Sequence, residues 1–180
     1  MSGPSLTPAQ EARVNVTVQI EPATDIPSAV EYRWDTDTAI LTASLADSTF
    51  AHGASGSVEL AGSDGSWVIL DVRGGRIHGV EVAVWPDVKK LSSLRVPADT
   101  SRGRLLVPSA GSKGGVAMMQ MDTTLIAESD QSEQTIHFRL GAGRLARTVC
   151  IARDILVDLD DNDTIRGIWL LNVPPFPGDE

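Results

Sequence analysis

From Arg13 to Glu21 apolar and polar residues alternate without a break, with Val14, Val16, Val18 and Ile20 on one side and Asn15, Thr17 and Gln19 on the other. A period of two is that of a strand with one buried face, because successive side chains leave a strand in opposite directions. The period returns at Val30, Tyr32 and Trp34. After the turn residues Asp35-Thr36-Asp37 it resumes at Ala39, Leu41, Ala43 and Leu45, which predicts a hairpin. Trp67–Arg73 and Arg76–Trp85 are two further β-rich runs, and the Gly74-Gly75 pair between them is a strong hairpin signal. No segment sustains the 3.6-residue period of an amphipathic helix. The chain is therefore expected to be mainly β and antiparallel, with at most two short helices.

The intervening segments are less regular. Residues 46–66, rich in Gly, Ser, Ala and Asp, read as loop around one short strand near Ser57–Leu60. Asp87–Leu94 follows Pro86 at what would be a first helical position and predicts a helix of one or two turns. Val96–Gly115 is broken by Pro97, Pro108 and glycines, with one strand-like piece at Arg104–Val107. It serves as a connecting segment (96–115) between a first β module (12–95) and a second (116–175), which could also form one compact domain. Val116–Thr124 suits a helix or a strand equally.

The two modules resemble one another. With Leu45 set over Leu140, the face Leu41, Ala43, Leu45 meets Ile136, Phe138, Leu140, while Asp35 meets Asp130 and Val30 and Tyr32 meet Leu125 and Ala127. Further on, Leu70-Asp71-Val72 corresponds to Val157-Asp158-Leu159. Ile77-His78-Gly79-Val80-Glu81-Val82 corresponds to Ile165-Arg166-Gly167-Ile168-Trp169-Leu170, after a turn one residue longer. The expected fold is two repeated antiparallel meanders packed as a pseudo-two-fold sandwich or barrel.

The run from Asp130 to Leu140, followed by Asp154 to Ile168, resembles the small bacterial proteins grouped as domain of unknown function 2283. Those proteins carry an acid-rich turn, an apolar strand ending in Arg-Leu and an acidic hairpin leading to Gly-Ile-Glu-Ile. The likeness covers residues 125–173 well and 30–91 loosely. The second copy departs from it at Trp169, where the family has Glu; the first copy keeps Glu81. Members of that family lie beside small toxin-like proteins, so the resemblance implies an antitoxin-like binding role. It carries over no catalytic residue.

A chain of 180 residues buries roughly 70% of the surface it exposes when unfolded, so no disulfide or metal staple is required. Met1–Arg13 lacks the apolar core of a secretory signal, no apolar run approaches a membrane span, and a single cysteine makes no internal disulfide; these predict a cytoplasmic protein. The net charge of −9 repels phosphate backbones, which disfavours nucleic acid and permits a basic protein partner. A monomer or a homodimer is expected.

Few residues suggest chemistry. Asp158, Asp160 and Asn162 have the first spacings of an EF-hand loop, but Asp163 replaces the required Gly and Trp169 the bidentate Glu, so a solvated hairpin turn is expected instead. His52 in a Gly-Ser loop, His78 on a strand and His137 on a polar strand face have no metal spacing. Cys150, between Val149 and Ile151, reads as a small buried hydrophobe. Gly111–Gly115 recasts a phosphate loop in the wrong order around Lys113 and reads as a linker. Trp34, Trp67, Trp85 and Trp169 read as core or sandwich seam, and Pro174–Pro177 as an extended terminal segment.

No catalytic, cofactor-binding or metal residue is therefore assigned, and no cofactor is expected. The leading functional expectation is a non-catalytic protein-interaction module, antitoxin-like or immunity-like. The alternative is a small-molecule-binding protein or enzyme with a site between the two modules, which a pocket with convergent polar groups would favour.

Overall fold

The alternating runs become strands in the computed structural model, which describes residues 16–46, 55–108 and 118–178. The first half contains β1 (Gln19–Pro22), β2 (Val30–Asp35), β3 (Ile40–Leu45), β4 (Gly56–Gly62), β5 (Trp67–Arg73), β6 (Arg76–Val84) and β7 (Val88–Lys90). The second contains β8 (Ser101–Leu106), β9 (Met118–Thr123), β10 (Leu125–Ser129), β11 (Ile136–Leu140), β12 (Arg147–Ala152), β13 (Ile155–Leu159) and β14 (Ile165–Leu170). Hydrogen bonding links all of them into one continuous curled sheet. The mainly β expectation holds.

The described residues contain no helix. The short helix expected over Asp87–Leu94 is instead β7, which runs parallel to β10 with Val88 opposite Ala127 and Lys90 opposite Ser129. Helix propensity over so short a segment is weak, and the edge of β10 supplies backbone partners that a helical turn would have to make internally. Residues 118–123 resolve in the same way, as a strand parallel to β4.

Two chain segments make the same sequence of pairings. β3 lies between β2 and β6, β5 pairs β6 and β4, and β9 adds to β4 in parallel. Likewise β11 lies between β10 and β14, β13 pairs β14 and β12, and β8 adds to β12 in parallel. The registers agree: Val30 faces Leu45 as Leu125 faces Leu140, and Leu41 faces Val82 as Ile136 faces Leu170. Asp71 faces Gly79 as Asp158 faces Gly167, each with a register shift one residue later.

The halves meet along β8, which pairs with β12 on the second side and with β1 and the Arg76 end of β6 on the first. One apolar core draws on both, including Leu41, Leu70 and Val82 from the first half, Phe138, Val149 and Ile168 from the second, and Leu105 from β8. At the seam the Tyr32 hydroxyl donates to the Leu171 carbonyl at 2.7 Å and the Trp34 indole donates to the Pro174 carbonyl at 2.9 Å. The terminal segment thus packs against the first meander.

The β5–β6 turn shows how local sequence sets the geometry. Gly74 and Gly75 have φ of 58° and 74°, a left-handed pair whose twist matches that of the strands it joins. A Cβ at Gly75 would meet nothing within 4 Å, so backbone strain alone disfavours a side chain there. Gly75→Val is expected to lower stability by about 1–2 kcal/mol and Gly75→Asn by clearly less, since Asn tolerates this conformation. Urea unfolding of the two variants checks the difference.

Candidate functional site

Three places gather side chains capable of chemistry or binding. The first is a buried cluster on β11, β12, β13 and β14. His137 and Trp169 face one another across β11 and β14, and their rings stack with centroids 3.8 Å apart and planes 9° apart. Asp158 on β13 lies beside them. Its Oδ2 is 2.9 Å from His137 Nε2 and accepts from Trp169 Nε1 at 2.9 Å, while its Oδ1 accepts from Thr148 Oγ1 at 2.7 Å. On the far side, Glu128 Oε2 is 4.0 Å from His137 Nδ1 and its Oε1 accepts from Arg139 at 2.9 Å.

Gly167 makes this arrangement possible. A Cβ there would sit 2.5 Å from Asp158 Oδ2 and 2.8 Å from His137 Nε2, so the pair occupies the space a side chain would need. Burial by itself would raise the Asp158 carboxyl. The hydrogen bonds from His137 and Thr148, the electrostatic attraction of His137 and the Trp169 indole outweigh it and hold the pKa below the ordinary carboxylate value.

His137, expected on a polar strand face, is instead buried and paired with an acid. The alternation of β11 correctly sets it opposite Ile136 and Phe138, but that face is also covered, which a single strand's pattern does not reveal. Histidine next to aspartate resembles part of a catalytic relay. Here the Asp158 side chain has no exposed surface and that of His137 is 6% exposed, so the pair lacks the access to substrate that a general base needs.

The second place is a cleft of about 200 Å³ at the seam, walled by the β5–β6 turn, β8, β12 and residues 23–28. Arg73 and Arg76 face each other across the Gly74-Gly75 turn, and Arg102 and Arg104 share one face of β8. His78 and Cys150 also line it. Arg76 Nη2 donates to both oxygens of Glu21 at 3.1 and 3.2 Å, Arg104 Nη2 lies 2.6 Å from Asp25, and Arg73 Nε lies 2.9 Å from Asp71. Arg102 is exposed, and its side chain makes no hydrogen bond or ion pair with a described residue. Cys150 is only partly buried, and burial, opposed by Arg102 and reinforced by Asp154, pushes its thiol up, away from nucleophilic thiolate.

The third place is an aromatic hollow of about 480 Å³ between Trp34, Trp85, Ser129, Gln134 and Phe176. Trp34 stacks on Trp85 at 5.7 Å and meets Phe176 edge-on at 5.2 Å. Ser129 Oγ is buried there without a hydrogen-bond partner among the described residues. Trp34 and Trp85 are thus seam residues, Trp169 is buried, and Trp67 is exposed at the start of β5.

The other sequence candidates separate. Asp160 accepts from the Asn162 and Thr164 amides and from Arg166, closing the β13–β14 turn, and Asp163 takes a φ of 57°. Asp158 points into the buried cluster instead, so the calcium-like spacing does not converge. Among the described residues no group of three His, Cys, Asp or Glu could hold a metal ion. His52 and Gly111–Gly115 lie outside the described residues. No described helix is long and apolar enough to cross a membrane. The arginine cleft escaped the sequence reading; its signal is the recurrence of Arg73-Gly-Gly-Arg76 and Arg102-Gly-Arg104, two basic pairs each spaced by glycine.

No family model matches the chain, and no curated protein matches it either.

Asp158→Ala leaves the Thr148 hydroxyl, the Trp169 indole and His137 without their shared acceptor in a buried setting, and is expected to cost about 3–5 kcal/mol. The folded-state pKa of Asp158 is lowered, so its stabilisation is present above the unfolded value near pH 4 and is lost as pH falls through the folded value. The stability gap between wild type and Asp158→Ala should accordingly narrow below about pH 4. Urea titrations at stepped pH measure that gap.

Proposed function

We propose that this protein is a non-catalytic binding module that holds a small ligand on the seam between its two β meanders. The observation that carries the reading is the cleft in which Arg73 and Arg76 from one half converge with Arg102 and Arg104 of β8 beside Cys150 of the other. Seams between repeated units are favoured places for pockets because neither unit fills them alone. The aromatic hollow lies on the same seam.

The absence of turnover is part of the proposal. The His137–Asp158 pair is closed in, and the Cys150 thiol is held neutral, so neither offers an activated group beside an open site. The matched strand registers support descent of the two meanders from one duplicated unit, of the kind the resemblance to domain of unknown function 2283 suggests.

A second reading, a protein-interaction subunit of antitoxin-like or immunity-like kind, is favoured by the net charge of −9, which suits a basic protein partner. Affinity capture from the native host, repeated at high salt, separates the readings: a salt-sensitive basic protein held in stoichiometric amount favours the second.

For the first reading, ligands are screened by thermal denaturation. A true ligand at a hundredfold excess over its Kd should stabilise the protein by about 2.7 kcal/mol and remain chemically unchanged after prolonged incubation. Conversion of a stabilising ligand to product would overturn the non-catalytic assignment. A screen with no stabilising ligand would overturn the small-ligand one.

A further inference from the structure

We propose that the seam cleft is an anion site for a small organic molecule with a carboxylate or phosphate head, held by Arg76, Arg102 and Arg104. The inference rests on the reading of the seam as a ligand site and names the ligand class.

Charge is the first argument. The chain carries 24 acidic residues against 15 Lys and Arg, yet four of those 15 line one cleft of about 200 Å³. Among the described residues, Glu21, Asp25 and Asp71 pair with them. Structural ion pairing alone accounts for Arg73, Arg76 and Arg104. It leaves Arg102, which has no acid partner among the described residues although it stands beside Cys150 in the β8–β12 pairing.

Donor capacity is the second. A guanidinium offers five N–H donors in a planar fork that matches the oxygens of a carboxylate or phosphate. Arg76 gives Nη2 to Glu21, but its Nε is buried with no hydrogen-bond partner among the described residues. A buried donor without an acceptor is costly, so this guanidinium is under-satisfied where it lines the cleft.

The backbone is arranged for this convergence. The two-residue turn brings Arg73 and Arg76 face to face, and Arg76 sits opposite Leu106 of β8. Alternation along β8 then puts Arg102 and Arg104 together while Gly103 between them faces the packed side, where a Cβ would lie 3.1 Å from Ile20 and 3.3 Å from Val149. Ile26, Pro27, Leu45 and Ile151 add apolar wall. A cleft this small, cationic in one part and apolar in another, suits a short acid or phosphate ester. A nucleic-acid backbone, by contrast, would have to approach across the surrounding negative charge.

Cys150 is the chain's one cysteine and lines the cleft, so it reports occupancy directly. The test follows alkylation of the full chain by uncharged iodoacetamide, read by mass spectrometry, with n-butyrate, n-butyl phosphate, n-butanol or sodium chloride added at matched ionic strength. Protection by either anion is expected to slow alkylation about tenfold at ten times its Kd, with chloride inert. Which anion protects identifies the head group.

Arg102→Gln should weaken protection about tenfold or more while leaving thermal stability unchanged, because Arg102 is exposed and unpaired among the described residues. Protection by n-butanol equal to that by the anions, or protection indifferent to Arg102→Gln, would overturn the anion assignment and leave the seam reading standing. Absence of protection by every probe, together with absence of any stabilising ligand for the aromatic hollow, would overturn both.

Discussion

A β-strand has two hydrogen-bonding edges, and the six residues of β8 use both to tie the two meanders into one sheet. One edge runs parallel to β12 and the other antiparallel to β1, while Leu106 reaches Arg76 at the start of β6. The approach is close enough that a Cβ at residue 103 would be tightly crowded, 3.1–3.3 Å from Ile20, Glu21 and Val149. The continuity of the sheet, the shared core at Leu105 and the cationic wall of the seam cleft all depend on this one strand.

The two meanders show how the same backbone register supports different chemistry. Asp71 and Asp158 stand opposite corresponding glycines, yet Asp71 is 41% exposed and Asp158 is wholly buried. The difference lies across the neighbouring strands. In the first half Thr42 faces Glu81; in the second His137 faces Trp169, and the stacked rings cover the acid while donating to it. Thr148 completes the set where the first half has Ser57. A buried carboxylate persists only where such donors answer its desolvation, so the polar cluster of the second half is stabilising architecture, and the exposed acid of the first half is left to pair with Arg73 at the cleft.

Much of the strand layout was legible because period-two alternation and turn chemistry act over a few residues. The Gly74-Gly75 turn and the β2–β3 hairpin both read directly from the chain. Asp87–Leu94 misled because its propensity favoured a helix while its partner, β10, lies far along the sequence. The parallel pairings of β4 with β9 and β12 with β8 were illegible for the same reason: no turn joins the partners.

The sequence by itself determined that the chain would form short antiparallel hairpins, where they would turn, and which residue of each strand would face the same way as its neighbours two positions on, since backbone sterics and alternation are local. Only the tertiary structure decided what each face would meet. It enclosed His137 with Asp158 and brought Arg76 to Arg102 and Arg104, because burial and charge convergence depend on strands separated by tens of residues, whose mutual placement no local pattern encodes.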